Sequence, residues 1–183
     1  LEGEAATFKS IDFPSFNIAT GGIKKGNLIV ISGKYKSGKT RLSTTSLCCR
    51  LTGMKLNSVT ELRQSKALTA EITNERWNRK LKYQLKVISP ETAARRLLRI
   101  ACKHDFTLYE FFHTDHLGHG RITEEFESIY NNLDRFLFTI LSELNKDEIT
   151  LVVCSDHGNF EDLSVKTHTM NPALTITAGK KAR

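Results

Sequence analysis

Five residues in the second half of the chain are of the types that bind divalent metal ions. They occur in three short phrases and are Asp115, His119, Asp156, His157 and His168. Aspartate and neutral imidazole are common ligands of zinc- and manganese-type ions, and they usually reach such a site from loops that follow strands. One aspartate or one histidine would indicate little, but five in three phrases predict a metal centre.

A second motif, at residues 33–40, fits a different chemistry. Its sequence, Gly-Lys-Tyr-Lys-Ser-Gly-Lys-Thr, satisfies GxxxxGK[ST], the pattern of a nucleotide-phosphate loop. In such a loop the backbone N–H groups surround a phosphate, the lysine reaches the β- and γ-phosphates and the threonine holds Mg²⁺. The motif predicts an Mg-ATP site whose candidate phosphate-binding residues are Gly33, Ser37, Gly38, Lys39 and Thr40.

Predicted strands stand directly before these motifs. The apolar run at 27–32 precedes the phosphate loop, and the runs at 105–112 and 149–154 precede the first two ligand phrases. A closing strand is expected at 173–177. Because strands alternate with predicted helices, the sequence indicates an α/β fold with a mainly parallel sheet flanked by helices.

Three helices are predicted between these strands. One should follow the phosphate loop through about Arg50. Ser89 as N-cap and Pro90 at the first helical position begin a second. Apolar residues at three- and four-residue steps over 126–144 predict a long amphipathic helix. Residues 55–88 are only weakly patterned.

Composition limits the class of protein. No apolar run approaches the roughly 20 residues of a membrane span, and the first residues do not form a secretory signal. The four cysteines lack CxxC spacing, which favours free thiols in a reducing, cytoplasmic setting. Residues 1–100 carry 19 basic and 7 acidic residues, against 8 and 13 in residues 101–183. The basic part would suit phosphates or nucleic acid, but the dispersed Lys and Arg residues favour a solvated basic face.

Residues 58–183 resemble the alkaline phosphatase superfamily, in the branch that contains cofactor-independent phosphoglycerate mutase and phosphopentomutase. The resemblance lies in Thr114-Asp115 with Gly118-His119, in Asp156-His157-Gly158-Asn159 and in His168-Thr169-Met170-Asn171-Pro172. It implies two divalent metals, Mn²⁺ or Zn²⁺, and phosphoryl transfer on a phosphorylated small molecule. The first metal would be held by Asp115, His119 and His168, and the second by Asp156 and His157.

The chain also departs from that family. The family has an N-terminal strand that ends in a further metal-binding aspartate, and a serine or threonine nucleophile follows. Residues 1–57 contain no such phrase, and their only aspartate is Asp12. The resemblance therefore implies one complete metal site and half of another, with the catalytic nucleophile unknown and turnover weak or absent.

Residues 7–52 resemble a different family, the entry to the RecA-like ATPase domain of replicative helicases. The chain then divides into a phosphate-loop segment, 1–56, and a metalloenzyme-like segment, 57–183. Three hypotheses follow: an incomplete phosphomutase- or phosphatase-like metalloenzyme, an ATP-binding module acting on nucleotide or nucleic acid, or an inactive fusion of two truncated domains. In a single folded body, the strand at 27–32 could supply an edge to the sheet of an incomplete alkaline-phosphatase-like core.

Overall fold

A computed structural model gives the fold of this protein. It describes residues 27–32, 43, 45, 46, 49, 53–122 and 125–179. The predicted phosphate loop, residues 33–40, lies outside the described residues. Of the helix predicted after that loop, the described residues Thr45, Ser46 and Cys49 are helical.

The described strands form one four-stranded sheet. They are β1 (Asn27–Ser32), β2 (Phe106–Phe111), β3 (Thr150–Ser155) and β4 (Thr175–Ala178), in the order β2-β1-β3-β4. β1 pairs in parallel with β2 and with β3, whereas β4 runs antiparallel to β3. The predicted α/β class is confirmed.

We had expected β1 at an edge of the sheet. It lies instead in the interior, between β2 and β3. Its uninterrupted apolar run, Leu28–Ile31, explains this position. Strands without polar alternation are typical of the interior of parallel sheets, and an edge position would leave one side of the backbone unpaired.

The three parallel strands end at the same level. Ser32, the last residue of β1, is in register with Phe111 of β2 and with Ser155 of β3. The carboxyl ends of parallel strands are where α/β proteins assemble their sites. The chain segments that follow β2 and β3 therefore begin on the same edge of the sheet, and these segments carry the predicted metal ligands.

Five helices are described. They are α1 (Val59–Arg63), α2 (Glu75–Leu81), α3 (Pro90–Ala101), α4 (His113–Gly118) and α5 (Phe126–Glu143). The predicted start of α3 is confirmed, because the Ser89 hydroxyl accepts a hydrogen bond from the Thr92 backbone N–H at 3.2 Å. Among the residues that the structure describes, no helix has both the length and the apolar character needed to cross a bilayer.

Helices α3 and α5 build the hydrophobic core with one face of the sheet. Alternate residues of β2 and β3 point to the same face, and these positions supply the strand side of the core. The buried residues include Ala94 and Leu97 of α3, Phe136 and Ile140 of α5, and Tyr109, Phe111, Leu151 and Val153 of the sheet. This layer holds the carboxyl end of β2, and with it α4, in a fixed place.

The weakly patterned segment 55–88 contains two short helices that we did not predict. Helix α1 has a capping box, in which Ser58 caps the helix and the Glu61 carboxylate accepts from the Ser58 backbone N–H at 2.6 Å. The Ser-x-x-Glu spacing was the available signal. Helix α2 follows a turn in which Ile72 and Asn74 have left-handed backbones, with φ of 74° and 70°.

Candidate metal centre

The first ligand phrase is a helix and not the loop that we expected. Helix α4 begins one residue after β2 ends, and His116 N–H donates to the Phe112 carbonyl at 3.1 Å. Residues four apart lie on the same face of a helix. The Asp115/His119 spacing is therefore a helical one, and it places His119 Nε2 3.2 Å from Asp115 Oδ1.

His168 joins this pair from the segment that follows β3. One ligand atom each from Asp115, His119 and His168 lies within 4.8 Å of the others. Three side-chain ligands with room for further ones is the usual arrangement of a catalytic metal site. The structure thus brings together the three residues that the sequence assigned to the first metal.

The surroundings of Asp115 test whether these three residues fit a metal ion. The residue is 3% exposed, and its Oδ2 atom has no hydrogen-bond partner among the described residues. Leaving a buried carboxylate oxygen unpaired is costly, typically about 1–3 kcal/mol or more for a charged group. A divalent cation between Asp115 and the two imidazoles would remove that cost, so this donor set fits a metal ion.

His119 is oriented by a group that the sequence did not reveal. Its Nδ1 lies 2.8 Å from the backbone carbonyl oxygen of Lys166. A carbonyl can only accept, so Nδ1 carries a proton, and in the neutral ring Nε2 then carries the lone pair. That is the tautomer required for metal binding through Nε2, the atom that faces Asp115.

His168 is exposed, but one face of its ring is covered. The ring stacks on that of His157 with centroids 3.5 Å apart and an interplanar angle of 18°. Loss of water, followed by the nearby imidazoles of His157 and His119, lowers the pKa of His168. The shift favours the neutral ring, which is the protonation state of a metal ligand.

Asp156 and His157 lie beside the first cluster. Asp156 Oδ1 is 3.5 Å from His157 Nε2, which is also 3.9 Å from Asp115 Oδ1. Burial raises the pKa of Asp156, against the opposing effect of His157. His157 Nε2 is buried and has no hydrogen-bond partner among the described residues. The pair therefore offers two ligands next to the first site.

A polar network that we did not predict shapes the segment between β3 and β4. The Glu161 carboxylate accepts from Asn159 N–H at 2.6 Å, from Asn171 Nδ2 at 3.1 Å and from the Thr169 hydroxyl. These bonds lower the pKa of Glu161 to about 2, with that from Thr169 the largest cause.

The same segment is closed by a backbone bridge. Thr169 N–H donates to the Gly158 carbonyl at 3.0 Å. A Cβ at Gly158 would lie 2.3 Å from Thr169 Oγ1 and 2.6 Å from Glu161 Oε1, so only glycine leaves space for these bonds. The bridge brings the neighbouring His168 back towards the carboxyl edge of the sheet.

The other two histidines of α4 belong to the opposite face of that helix. The ring centroids of His113 and His116 are 6.3 Å apart. Burial, followed by the charge of Arg76, lowers the pKa of His113 to about 4. His113 is a half-buried, neutral side chain on the side of α4 where Arg76 pairs with Glu125 at 2.7 Å.

The five candidate nucleotide-phosphate residues lie outside the described residues, so the structure does not place them. They are Gly33, Ser37, Gly38, Lys39 and Thr40.

Comparison with known proteins gives a consistent result for the second segment. Residues 75–183 match the sequence model of the Metalloenzyme superfamily. The chain is 34% identical over 96 residues to the 2,3-bisphosphoglycerate-independent phosphoglycerate mutase of Wolinella succinogenes. The aligned region covers 51% of this chain and 20% of that protein. The chain is 26% identical over 102 residues to the enzyme of the same name from Mycoplasmopsis synoviae, covering 52% and 20%.

The chain thus spans about a fifth of the length of these curated relatives. No solved structure matches it. The family match begins after the phosphate-loop motif and includes all five predicted metal ligands.

Proposed function

Because this chain belongs to the Metalloenzyme superfamily, we propose that it carries the metal-holding side of a metal-dependent phosphoryl-transfer enzyme of the phosphomutase or phosphatase type. The metal-holding segment would be residues 57–183. Residues 1–56 would form the other segment of the chain, and its strand β1 pairs with β2 and β3 in one sheet. The substrate class would be a phosphorylated small molecule, in keeping with relatives that are named phosphoglycerate mutases.

One observation carries this proposal. Ligand atoms of Asp115, His119 and His168 lie within 4.8 Å of one another, and Asp115 is buried, with one carboxylate oxygen that has no hydrogen-bond partner in the described part of the chain. One carboxylate with two imidazoles suits Zn²⁺ or Mn²⁺ better than Ca²⁺ or Mg²⁺, which prefer oxygen ligands.

The roles of the three residues follow from their surroundings. Asp115 supplies the negative charge from a buried position on α4. His119 presents Nε2 because Lys166 O holds its Nδ1 proton. His168 enters as a neutral ring. A divalent ion bound there would polarise a phosphoryl oxygen and stabilise the charge that develops during transfer.

A second metal would take Asp156 and His157 as ligands. Two protein ligands are fewer than the three of a typical catalytic site. We also assign no nucleophile among residues 53–122 and 125–179. We therefore propose metal binding by this chain without efficient turnover, and phosphoryl transfer as the chemistry of the complete enzyme.

Metal titration of the chelator-treated protein tests the proposal. Wild type should bind one Mn²⁺ or Zn²⁺ tightly by isothermal titration calorimetry, and Asp115→Asn should abolish that binding while leaving the circular dichroism spectrum unchanged. The control is Asp147→Asn, which alters an exposed aspartate away from the cluster. Equal metal affinity in all three proteins, or none in wild type, would contradict the proposed site.

A further inference from the structure

Gly118 and Asn159 contact each other beside the metal cluster. Gly118 is the last residue of α4 and stands next to His119. A Cβ added to it would lie 2.1 Å from Asn159 Oδ1, 2.4 Å from Cγ and 2.8 Å from Nδ2. Contacts this short are impossible, so Asn159 occupies the space that any side chain at position 118 would need.

Helix propensity does not explain this glycine. Gly118 is helical and has no positive φ. Alanine is more favourable than glycine within a helix, and glycine is required only where the backbone is left-handed or space is missing. At position 118 space is the remaining reason, and the atoms that take it are those of the Asn159 amide.

Asn159 uses this space to reach Asp115. It is 3% exposed, and its Nδ2 donates to Asp115 Oδ1 at 3.3 Å and to the Asp115 backbone carbonyl at 3.5 Å. On the other side, its backbone N–H donates to Glu161. The amide is therefore fixed between the segment after β3 and the first turn of α4.

We propose that Asn159 is a positioning residue for Asp115 and that Gly118 is the gap that admits it. The amide holds Oδ1 and thereby sets the rotation of the carboxylate, which leaves Oδ2 without a hydrogen-bond partner from residues that the structure describes. This inference rests on the proposed metal site, because it says how the anionic ligand of that site is oriented. Groups that orient metal ligands typically change metal affinity by about 10- to 100-fold when removed.

A double-mutant cycle tests the pair. The proteins are wild type, Asn159→Ala, Gly118→Ala and the double variant, each titrated with Mn²⁺ and each melted without metal. Asn159→Ala should weaken Mn²⁺ binding by about tenfold or more. Gly118→Ala should weaken it at least as much, since its methyl group displaces the amide.

The two substitutions should not add. Once Asn159 is alanine, the methyl group at 118 no longer meets an amide, so Gly118→Ala should change the Kd less than about twofold. Its effect on Tm should reverse in sign: a lower Tm in the wild-type background and a higher Tm in the Asn159→Ala background, where helix propensity alone acts. If Gly118→Ala alone does not fold, recovery of folding in the double variant supports the same contact.

Asn74→Ala is the matched control. Asn74 is 4% exposed and bonds to Thr69 and to the Lys86 carbonyl, away from the cluster. Its loss should lower the Tm and leave the Kd for Mn²⁺ unchanged. A wild-type Kd in Asn159→Ala would overturn the positioning role, and additive effects of the two substitutions would overturn the link with Gly118.

A measurement without metal separates this inference from the proposed function. The Asn159 side-chain amide protons, followed by NMR in the metal-free protein, should exchange slowly with solvent, and Asp115→Ala should remove that protection. If wild type binds no metal, the proposed function fails and this measurement still decides whether the contact exists. Unprotected Asn159 protons in wild type would overturn the inference.

Discussion

Two regions of the molecule supply the metal ligands, and they are held together in different ways. The helix–sheet layer, formed by α3, α5 and the sheet, buries large apolar side chains such as Phe136 and Leu151 completely. The ligand loop, residues 156–171, leaves most of its side chains exposed, and Met170 is exposed in full. Phe160 of this loop packs against the core, and hydrogen bonds to Glu161 and a backbone bridge hold the rest of the loop.

The difference bears on how the site is assembled. Asp115 and His119 come from α4, which the layer fixes in place, so their geometry is set before any metal arrives. His157 and His168 come from the ligand loop, where exposed side chains predominate and local stability should be lower than in the layer. We infer that the first two residues form the rigid side of the site and that a metal would hold the loop against it.

The largest expected change in stability comes from a substitution inside the helix–sheet layer. Phe136→Ala removes a ring that is 0% exposed and packs on Tyr109 with centroids 5.5 Å apart. The substitution removes buried atoms and leaves a cavity in the core, so the free energy of unfolding should fall by about 3–5 kcal/mol. Urea denaturation measures this change. Met170→Ala, the matching truncation in the ligand loop, should change it by less than about 0.5 kcal/mol. Comparable losses in both variants would mean that the two regions do not differ.

The layer was also the part most readily predicted from the sequence. The local signals of Ser89 and Pro90 predict helix α3, and an apolar period that runs over 18 residues predicts α5. Helix α4 has only six residues and no apolar period, so the Asp115/His119 spacing was its only sign. The apolar run of β1 suits an interior strand, but its pairing with β2 and β3 joins strands far apart along the chain, and no local pattern encodes that choice of partners.

The site was predictable in its residue types and not in its supports. Asp115, His119 and His168 could be selected because aspartate and histidine are recognisable metal ligands. The carbonyl of Lys166 could not, because every residue has a backbone oxygen. Asn159 and Gly118 stood within the ligand phrases, but their contact requires the loop to fold back on α4, and that geometry is non-local.

The second prediction tests whether metal joins the two regions. His168→Ala removes the ligand that the loop contributes, and the Kd for Mn²⁺ should rise by about 100-fold or more, beyond the effect of losing an orienting group. In wild type, Mn²⁺ should slow hydrogen exchange across residues 156–171 and leave α5 unchanged. His104→Ala, at an exposed histidine outside the cluster, is the control. Protection of the loop by Mn²⁺ in His168→Ala would contradict this view.

The third prediction weakens the loop without touching a ligand. Glu161→Ala removes the acceptor for Asn159, Thr169 and Asn171. The loop should then sample more conformations, and the Kd for Mn²⁺ should rise by several-fold, about tenfold at most. Calorimetric titration compares Glu161→Ala with a control, Glu148→Ala, at an exposed residue just before the amino end of β3. An unchanged Kd would show that the Glu161 network does not support the site.

The smallest effect concerns a polar contact within the layer. Arg135 of α5 donates to Glu91 of α3 through Nε at 2.7 Å and Nη2 at 3.0 Å, and these bonds lower the pKa of Glu91 to about 2. The folded pKa lies below the unfolded one, so the pair stabilises the fold above about pH 4.3, and this contribution is lost as the pH falls towards 2.

Both side chains are partly exposed, so water screens the pair and Arg135→Ala should cost less than about 1 kcal/mol at pH 7. The difference from wild type should shrink between pH 5 and pH 3, whereas Lys146→Ala, an exposed control, should show no such trend. Urea denaturation across this range measures both. A loss above about 2 kcal/mol at pH 7 would mean that polar contacts also stabilise the layer. In that case, reliance on polar contacts would no longer distinguish the ligand loop from the rest of the protein.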